Sequence, residues 1–220
     1  AEVGCNVVLL EKEQQVGGLS VQISKIPAKT RLADFPTYLK HRAEKLENLK
    51  IVTGVDATVE TVKAYQPDLV VNATGSVPML PPIEGLHENL QKDDAKVYCI
   101  HDMIDHLNDY PEDLTGKKVA VIGGGAVGLD VVEFFAPRGA EVTIVEMMGA
   151  IGNGLDASST SSMNECMEKY HVHKMVNTAL TKVNADSFEV KYDGKEETLP
   201  FDYGFVCLGM KAYAPIWEEM

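Results

Sequence analysis

Short, continuous apolar runs separated by polar stretches mark the strands of this chain. The run "CNVVLLE" at 5–11 predicts a buried parallel strand that ends at an acidic residue, Glu11, and a glycine pair follows six residues later. Residues 119–122 form a second apolar run, and "EVTIVE" at 141–146 forms a third. Apolar residues at 132, 134 and 135 indicate a helix between the last two runs. The alternation of strands with helices favours an α/β fold.

An internal repeat divides the chain into two parts. The segment "GCNVVLLEK" at 4–12 resembles "GAEVTIVEM" at 139–147, at an offset of 135 residues. The segment "PDLVVNATGSVP" at 67–78 resembles "FDYGFVCLGMKAYAP" at 201–215, and a helix-like stretch with a short β segment separates the two anchors in each copy. We therefore predict two related Rossmann-like three-layer units, over residues 1–95 and 96–220.

A glycine-rich turn in the second unit is typical of dinucleotide binding. Gly123, Gly125 and Gly128 fit the pattern G-x-G-x-x-G between a predicted strand and a predicted helix. The first glycine allows the tight turn, the second lets the backbone approach a pyrophosphate, and the third lets helix and strand pack closely. Glu146 follows Gly123 by 23 residues, where a carboxylate can accept hydrogen bonds from ribose hydroxyls. A purely structural glycine turn is the alternative; Pro137 is expected to end the helix.

The first unit shows no such turn before Glu11. Applying the offset of 135 to the glycines places the equivalent loop before residue 1. We therefore expect the chain to be a fragment whose first unit is truncated, lacking its first strand and glycine loop. Residues 1–95 would then pack around a gap, whereas residues from about 115 to 215 would form a complete unit.

Composition narrows the range of partners. The chain has 220 residues, a formal charge of −13 and 45% hydrophobic residues. This charge opposes binding to nucleic acid or to an anionic membrane surface. The longest apolar runs are shorter than the roughly 20 residues that span a bilayer, and the first residues lack the basic start of a secretory signal. We expect a cytoplasmic protein with no nucleic-acid or membrane partner.

The four cysteines, at 5, 99, 166 and 207, form no CxxC pair. This spacing argues against a zinc site, an iron–sulfur motif or a redox dithiol, so we expect small buried apolar residues. His101 and His106 are expected to be solvated, His171 and His173 are expected to alternate on a strand with one face exposed, and we predict no metal site. The serine run at 157–162 is expected to cap a helix that starts near Met163.

The order of "NATGSVP", "VIGGGAVGLDVVEFF", "VTIVEM" and "VCLGMKAYAP" resembles flavoproteins with paired FAD and NAD(P) domains. More narrowly, nearly the whole chain is similar to the C-terminal region of the 2,4-dienoyl-CoA reductase, 2-enoate reductase and trimethylamine dehydrogenase group, relatives of Old Yellow Enzyme. The resemblance implies that NAD(P)H passes a hydride to FAD and that an iron–sulfur cluster relays electrons to FMN, which reduces an activated alkene. FMN and the cluster would belong to an N-terminal TIM-barrel portion absent from these residues, and this chain alone would not be competent.

The resemblance also implies which residues contact each cofactor. In the first unit Glu11 would hold the FAD ribose, Gly17 and Gly18 would pass close to the flavin, and Ala57 would offer backbone to the adenine. The turn beside FAD would consist of Ala73, Thr74 and Gly75. The residues around NAD(H) in the second unit would be Gly123, Gly125, Ala126, Val127, Gly128, Glu146, Leu180 and Gly209. No catalytic side chain is expected, because the cofactors carry the chemistry.

Two functions remain open from the sequence. The first is the cofactor-binding portion of an NADH-dependent flavoprotein oxidoreductase that serves reduction of an enoate or dienoyl-CoA-type alkene. The alternative is a non-catalytic domain in which an adenine nucleotide has a structural role only. The absence of a cysteine pair after the glycine pair at 17–18 excludes electron transfer to a dithiol at that position. Glu146 favours NAD(H) over NADP(H), because no arginine or lysine occurs in residues 147–156.

Overall fold

The computed structural model describes residues 1–214 and 216, which form two compact units. Unit 1 contains residues 1–77 and the described residues beyond Lys211, and unit 2 contains residues 78–211. The division at 77/78 lies earlier than the 95/96 boundary expected from the sequence. The reason is that Leu86 and Val97 belong to the same buried core of unit 2. Pro215, which ends the second repeat, lies outside the described residues.

Unit 1 is built around a small parallel sheet. Strands β1 (Val7–Glu11) and β2 (Leu49–Thr53) pair in parallel, with Val7 opposite Leu49 and Glu11 opposite Thr53. The remaining elements are helices α1 (Gly18–Ile23), α2 (Asp34–Ala43) and α3 (Val59–Ala64), a 3-10 helix (Pro27–Ala33), and strand β3 (Ser76–Pro78).

The core of unit 1 is small. Among its described residues only Ile26 and Val59 are buried, at 1% and 8% exposure. Val8 and Leu9 of β1 are more than a third exposed, as is expected where a parallel sheet is not covered on both faces. Residues 69–72, which the repeat aligns with a strand of unit 2, form no strand, and Leu69 is 81% exposed. Truncation of the first unit stays a prediction.

Unit 2 contains a five-stranded parallel sheet. Its strands, in spatial order, are β4 (Val97–Tyr98), β11 (Tyr203–Val206), β5 (Lys118–Ile122), β6 (Glu141–Val145) and β7 (His173–Met175). An antiparallel sheet is formed by β8 (Thr178–Val183), β9 (Ser187–Tyr192) and β10 (Lys195–Pro200). The helices are α4 (Leu86–Leu90), α5 (Ile100–Asp105), α6 (Ala126–Phe135) and α7 (Ala157–Lys169), and the last strand is β12 (Met210–Ala212).

The parallel sheet of unit 2 is the middle of three layers. Ala120 and Ile122 of β5 belong to a buried cluster that includes Phe188 of β9 and Phe201. On the other face Val121 lies beside α6 at Gly128. Each fully buried aromatic or branched side chain contributes roughly 1.5–3 kcal/mol relative to an exposed one. The predicted Rossmann-like α/β class is confirmed.

The ends of α6 and α7 show how far local signals determine the helices. Helix α6 ends at Phe135, and Pro137 lies in the 3-10 turn that follows, as predicted. The expectation that α7 starts near Met163 is wrong, because the carboxylate of Asp156 accepts the backbone N–H of Ser159 at 3.0 Å and caps a helix that already starts at Ala157. The serine run therefore lies inside the first turns of the helix.

The cysteines depart from the expectation that all are buried. All four are free; Cys207 is buried, Cys99 and Cys166 are half-buried, and Cys5 is exposed. Burial raises the pKa of Cys207, and burial together with Asp102 raises the pKa of Cys99 to about 11. These thiols are therefore poor nucleophiles at neutral pH. No helix among the described residues has the length and apolar character needed to cross a bilayer.

Candidate dinucleotide-binding site

The turn between β5 and α6 brings backbone segments closer together than side chains would allow. Gly123 has φ of +107°, and a Cβ placed there would lie 2.2 Å from the carbonyl oxygen of Cys207. A Cβ on Gly128 would lie 1.9 Å from the carbonyl oxygen of Gly123. Glycine is required at both positions for steric reasons, as the G-x-G-x-x-G pattern predicts.

The amino terminus of α6 presents backbone donors to open space. Gly125 is the N-cap residue, has no side-chain cap, and a Cβ placed on it would meet no atom within 4 Å. The amides of Gly125, Ala126 and Val127 make no hydrogen bond to another described residue. Unpaired amides and the positive end of the helix dipole favour a phosphate at this point.

Glu146 lies directly beside this loop. Its Oε2 accepts the backbone N–H of Gly124 at 2.7 Å, and its Oε1 accepts the backbone N–H of Met148 at 2.7 Å. Its own backbone is held at the ends of β7 and β8, since its N–H donates to Met175 at 2.8 Å and its carbonyl accepts from Thr178 at 2.9 Å. Each carboxylate oxygen thus has one backbone donor and keeps a further lone pair for ribose hydroxyls.

The other two positions proposed in unit 2 lie apart from these contacts. Leu180 is half-buried on β8, where its side chain packs against the core cluster. Gly209 is exposed, has φ of +102°, and its carbonyl accepts the N–H of Met79 at 2.9 Å. Neither residue hydrogen-bonds to the glycine loop within the described part of the chain, so their contact with a dinucleotide stays a prediction.

Three residues of this site were not found from the sequence. Gly124 occupies a variable position of the glycine pattern, yet its N–H donates to Glu146. The carbonyl of Cys207 lies against Gly123, and the N–H of Gly152 donates to the carbonyl of Gly124 at 2.7 Å. These contacts join segments that are distant in sequence, so the local sequence pattern around each residue does not predict them.

Unit 1 reproduces part of this arrangement. Glu11 ends β1 as Glu146 follows β6; its Oε1 accepts the N–H of Glu13 at 2.9 Å, and its carbonyl accepts the N–H of Val55 at 3.0 Å. Gly17, with φ of +125°, caps α1, which begins at Gly18. Ala57 lies half-buried between β2 and α3. No glycine-rich turn of the G-x-G-x-x-G type occurs among the described residues of unit 1.

The proposed turn at residues 73–75 is exposed and held by hydrogen bonds. The hydroxyl of Thr74 donates to Oδ1 of Asn72 at 2.7 Å and also contacts the carbonyl of Tyr213. Gly75 has φ of +78°, and its carbonyl accepts the N–H of Tyr213 at 2.9 Å. Ala73 precedes this pair and is exposed as well. These contacts fix a turn whose repeat counterpart in unit 2 is Gly209.

The described residues contain no group of three or more His, Cys, Asp and Glu side chains able to hold a metal ion. Nδ1 of His106 lies 2.8 Å from Oδ2 of Asp109, and both side chains are exposed. The candidate site of unit 2 is therefore defined by its glycine turn, the amino terminus of α6 and Glu146.

Comparison with known proteins agrees with this geometry. The family model described as pyridine nucleotide-disulphide oxidoreductase matches residues 1–220. The bilirubin reductase of Mediterraneibacter gnavus is 32% identical over 208 residues, covering 94% of this chain and 31% of that protein. The NADH oxidase of Thermoanaerobacter brockii is 31% identical over 183 residues, covering 83% of this chain and 27% of that protein.

A solved structure of a 2-naphthoyl-CoA reductase in complex with 2-naphthoyl-CoA has a TM-score of 0.81 and 28% identity to this chain. The match covers 98% of this chain and 31% of the reductase. The chain thus spans less than a third of the length of each of these three proteins. On the match over residues 1–220, the chain belongs to the pyridine nucleotide-disulphide oxidoreductase family, a family of oxidoreductases that bind FAD and NAD(P)H.

Proposed function

We propose that this chain is the cofactor-binding portion of an NADH-dependent flavoprotein oxidoreductase, with NAD(H) bound by unit 2 and FAD by unit 1. The hydride of NADH would pass to FAD and serve the reduction of an enoate or dienoyl-CoA-type alkene. This proposal extends the family membership in two respects, the choice of NADH and the class of substrate.

One observation carries the NAD(H) assignment. The hydrogen bond from Gly124 to Oε2 of Glu146, at 2.7 Å, joins the acid proposed to bind ribose to the turn proposed to bind phosphate. An adenosine diphosphate group bound there would find a carboxylate for its ribose and unpaired amides at Gly125 and Ala126 for its phosphates. The residues present therefore fit the adenosine diphosphate half of NAD(H).

The FAD assignment is supported by the repeat. Glu11 ends β1 at the position equivalent to Glu146, and Gly75 has a positive φ like its counterpart Gly209. The described residues of unit 1 fit the ribose of FAD and the turn beside it. They offer no glycine loop for the pyrophosphate, so the proposal requires those donors to come from outside the described residues of this unit.

The residues of this chain would bind and orient rather than react. When bound, the nicotinamide and flavin rings would supply the redox chemistry, which is hydride transfer. Glu146 would fix the adenosine ribose, and the amides at the start of α6 would fix the pyrophosphate. No described side chain needs to act as an acid or base in such a transfer.

The substrate class is proposed from relatives and from the resemblance of the sequence motifs. Relatives named as reductases of bilirubin and of 2-naphthoyl-CoA both act on conjugated compounds, and each is about three times as long as the part that matches this chain. We propose that an N-terminal TIM-barrel portion carries FMN and an iron–sulfur cluster and that the alkene binds there.

Anaerobic mixing of the full-length, flavin-containing protein with NADH tests this function. Rapid loss of the oxidised flavin absorbance, with NAD⁺ formed in equal amount, is the expected result. A flavin spectrum that stays unchanged while calorimetry shows NADH bound would contradict hydride transfer and would favour the structural nucleotide domain. Steady-state turnover with cinnamate-like acids and enoyl-CoA esters then tests the substrate class.

A further inference from the structure

The segment that follows Glu146 folds back over the glycine turn. Gly152 is buried, has φ of +84°, and its N–H donates to the carbonyl oxygen of Gly124 at 2.7 Å. The side chain of Ile151 covers the same residue, since a Cβ placed on Gly124 would lie 3.2 Å from its Cγ1. Gly124 is therefore held by a second segment, in addition to the contact with Glu146.

The hydrogen bond from Gly152 to the carbonyl of Gly124 determines the direction of the N–H of Gly125. The chain has no cis peptide bond among the described residues, so the carbonyl of Gly124 and the N–H of Gly125 point in opposite directions across one planar unit. With the carbonyl fixed toward Gly152, the N–H of Gly125 points away from Gly152. That amide makes no hydrogen bond within the described structure, and the space at Gly125 is open.

The segment is itself anchored at both ends. The carbonyl of Gly152 accepts the N–H of Leu155 at 3.1 Å, and Asp156 then caps α7. At the other end, the N–H of Met148 donates to Glu146, and the carbonyl of Met148 accepts from Asn177 at 3.0 Å. The position of Gly152 is thus set by α7 and by the strand ends, and not by the glycine turn alone.

We infer that Gly152 is a positioning residue for dinucleotide binding: through the carbonyl of Gly124 it orients the N–H of Gly125 toward the pyrophosphate. This inference rests on the proposed function of unit 2. It separates two tasks, because the N–H that contacts Glu146 belongs to the preceding peptide, between Gly123 and Gly124. Loss of the Gly152 contact should therefore affect the phosphates of a ligand and spare its ribose.

A main-chain ester tests this role without altering any side chain. Incorporation of glycolic acid in place of Gly152 replaces the N–H donor by an ester oxygen and weakens the carbonyl of residue 151 as an acceptor, while every side chain stays the same. The matched control is glycolic acid in place of Gly154, which has a similar φ of +87°, has open space around its Cα, and makes no hydrogen bond through its N–H within the described structure. Dissociation constants for ADP and for adenosine are measured on the unmodified chain and on both esters.

The ester at 152 is expected to weaken ADP binding roughly 10- to 100-fold, the effect of losing one oriented donor to a charged group. Adenosine binding should change less than about threefold, and the ester at 154 should bind both ligands as the unmodified chain does. ADP binding unaffected by the ester at 152 would overturn the inference and leave the proposed function intact. Equal loss of ADP and adenosine binding would overturn it in favour of a merely structural role. An unmodified chain that binds no ADP or NADH would overturn both.

Discussion

Replacing Gly128 by alanine would place a methyl carbon 1.9 Å from the carbonyl oxygen of Gly123, well inside the 3.4 Å at which ordinary contact begins. The obstacle is backbone, so no side-chain rotation can relieve it, and α6 must move away from β5. Such a movement disturbs the contacts of Phe134 and Phe135, which are both buried. An overpacked core costs about 1–3 kcal/mol, and a rigid obstacle belongs at the upper end. We expect a loss of about 3 kcal/mol, which lowers Tm by roughly 6–12 °C.

Alanine at Gly125 is the matched comparison. Gly125 has φ of −80° and ψ of −174°, which any residue adopts, and the added Cβ would meet nothing within 4 Å. Lower entropy of the unfolded chain contributes about 0.4–1 kcal/mol, and the poorer N-cap offsets a similar amount. Stability should stay within about 0.5 kcal/mol of the original. NADH binding should nevertheless fall about tenfold or more, because the methyl group enters the space that a pyrophosphate would occupy.

Two measurements check both variants. Circular dichroism during heating gives Tm, and calorimetric titration with NADH gives the affinity. The expected pattern is a large fall in Tm for Gly128→Ala and a selective loss of affinity for Gly125→Ala. If Gly128→Ala unfolds at the original Tm, then α6 does not approach β5 as closely as described. If Gly125→Ala binds NADH as tightly as the original chain, the open space before α6 is not the phosphate site.

Three further outcomes are expected. NADP(H) should bind far more weakly than NAD(H), since a 2′-phosphate about 4 Å from Glu146 costs up to about 4 kcal/mol at an effective dielectric constant near 20 before solvent screening; calorimetry showing equal affinities, or a Glu146→Ala variant that leaves the gap unchanged, would contradict this. Residues 1–220 expressed alone should purify without FAD, because the described residues of unit 1 offer Glu11 but no glycine loop; stoichiometric flavin after gel filtration would refute it. The N–H of Lys118 and the ammonium of Lys117 lower the pKa of Asp202 from its ordinary 3.8. The ionised Asp202 therefore stabilises the folded chain above pH 3.8, and this stabilisation is lost as the pH falls through the lower pKa of the folded state. Over this acid range the Tm of Asp202→Asn should fall less than that of the original chain, and parallel profiles of Tm against pH would count against the contact.

Most of the correct predictions about the fold came from the internal repeat. It aligned β1 with β6, and Gly4 and Gly139, which precede these strands at the same offset, both have positive φ. The glycine turn and Glu146 were found because the turn requires glycine for steric reasons and the acid ends a strand. These are constraints that a short stretch of sequence expresses directly.

Contacts between distant segments could not be predicted in the same way. The hydrogen bond of Gly152 with Gly124 joins residues of two loops, and the sequence of each loop by itself predicts only an ordinary turn. Burial of Cys207 and exposure of Cys5 depend on which sheet each residue reaches, since Cys207 follows a central strand and Cys5 precedes one that is poorly covered. Apolar character alone did not separate these two cases.

The two-stranded sheet of unit 1 has a consequence for how this unit responds to other chains. Among the described residues β1 pairs with β2 alone, so its other edge presents unsatisfied backbone groups beside the exposed side chains of Val8 and Leu9. Such an edge accepts an added strand from any source, including a second copy at high concentration. Because an added strand binds the folded state and not the unfolded one, the melting temperature of unit 1 should rise with the concentration of that strand.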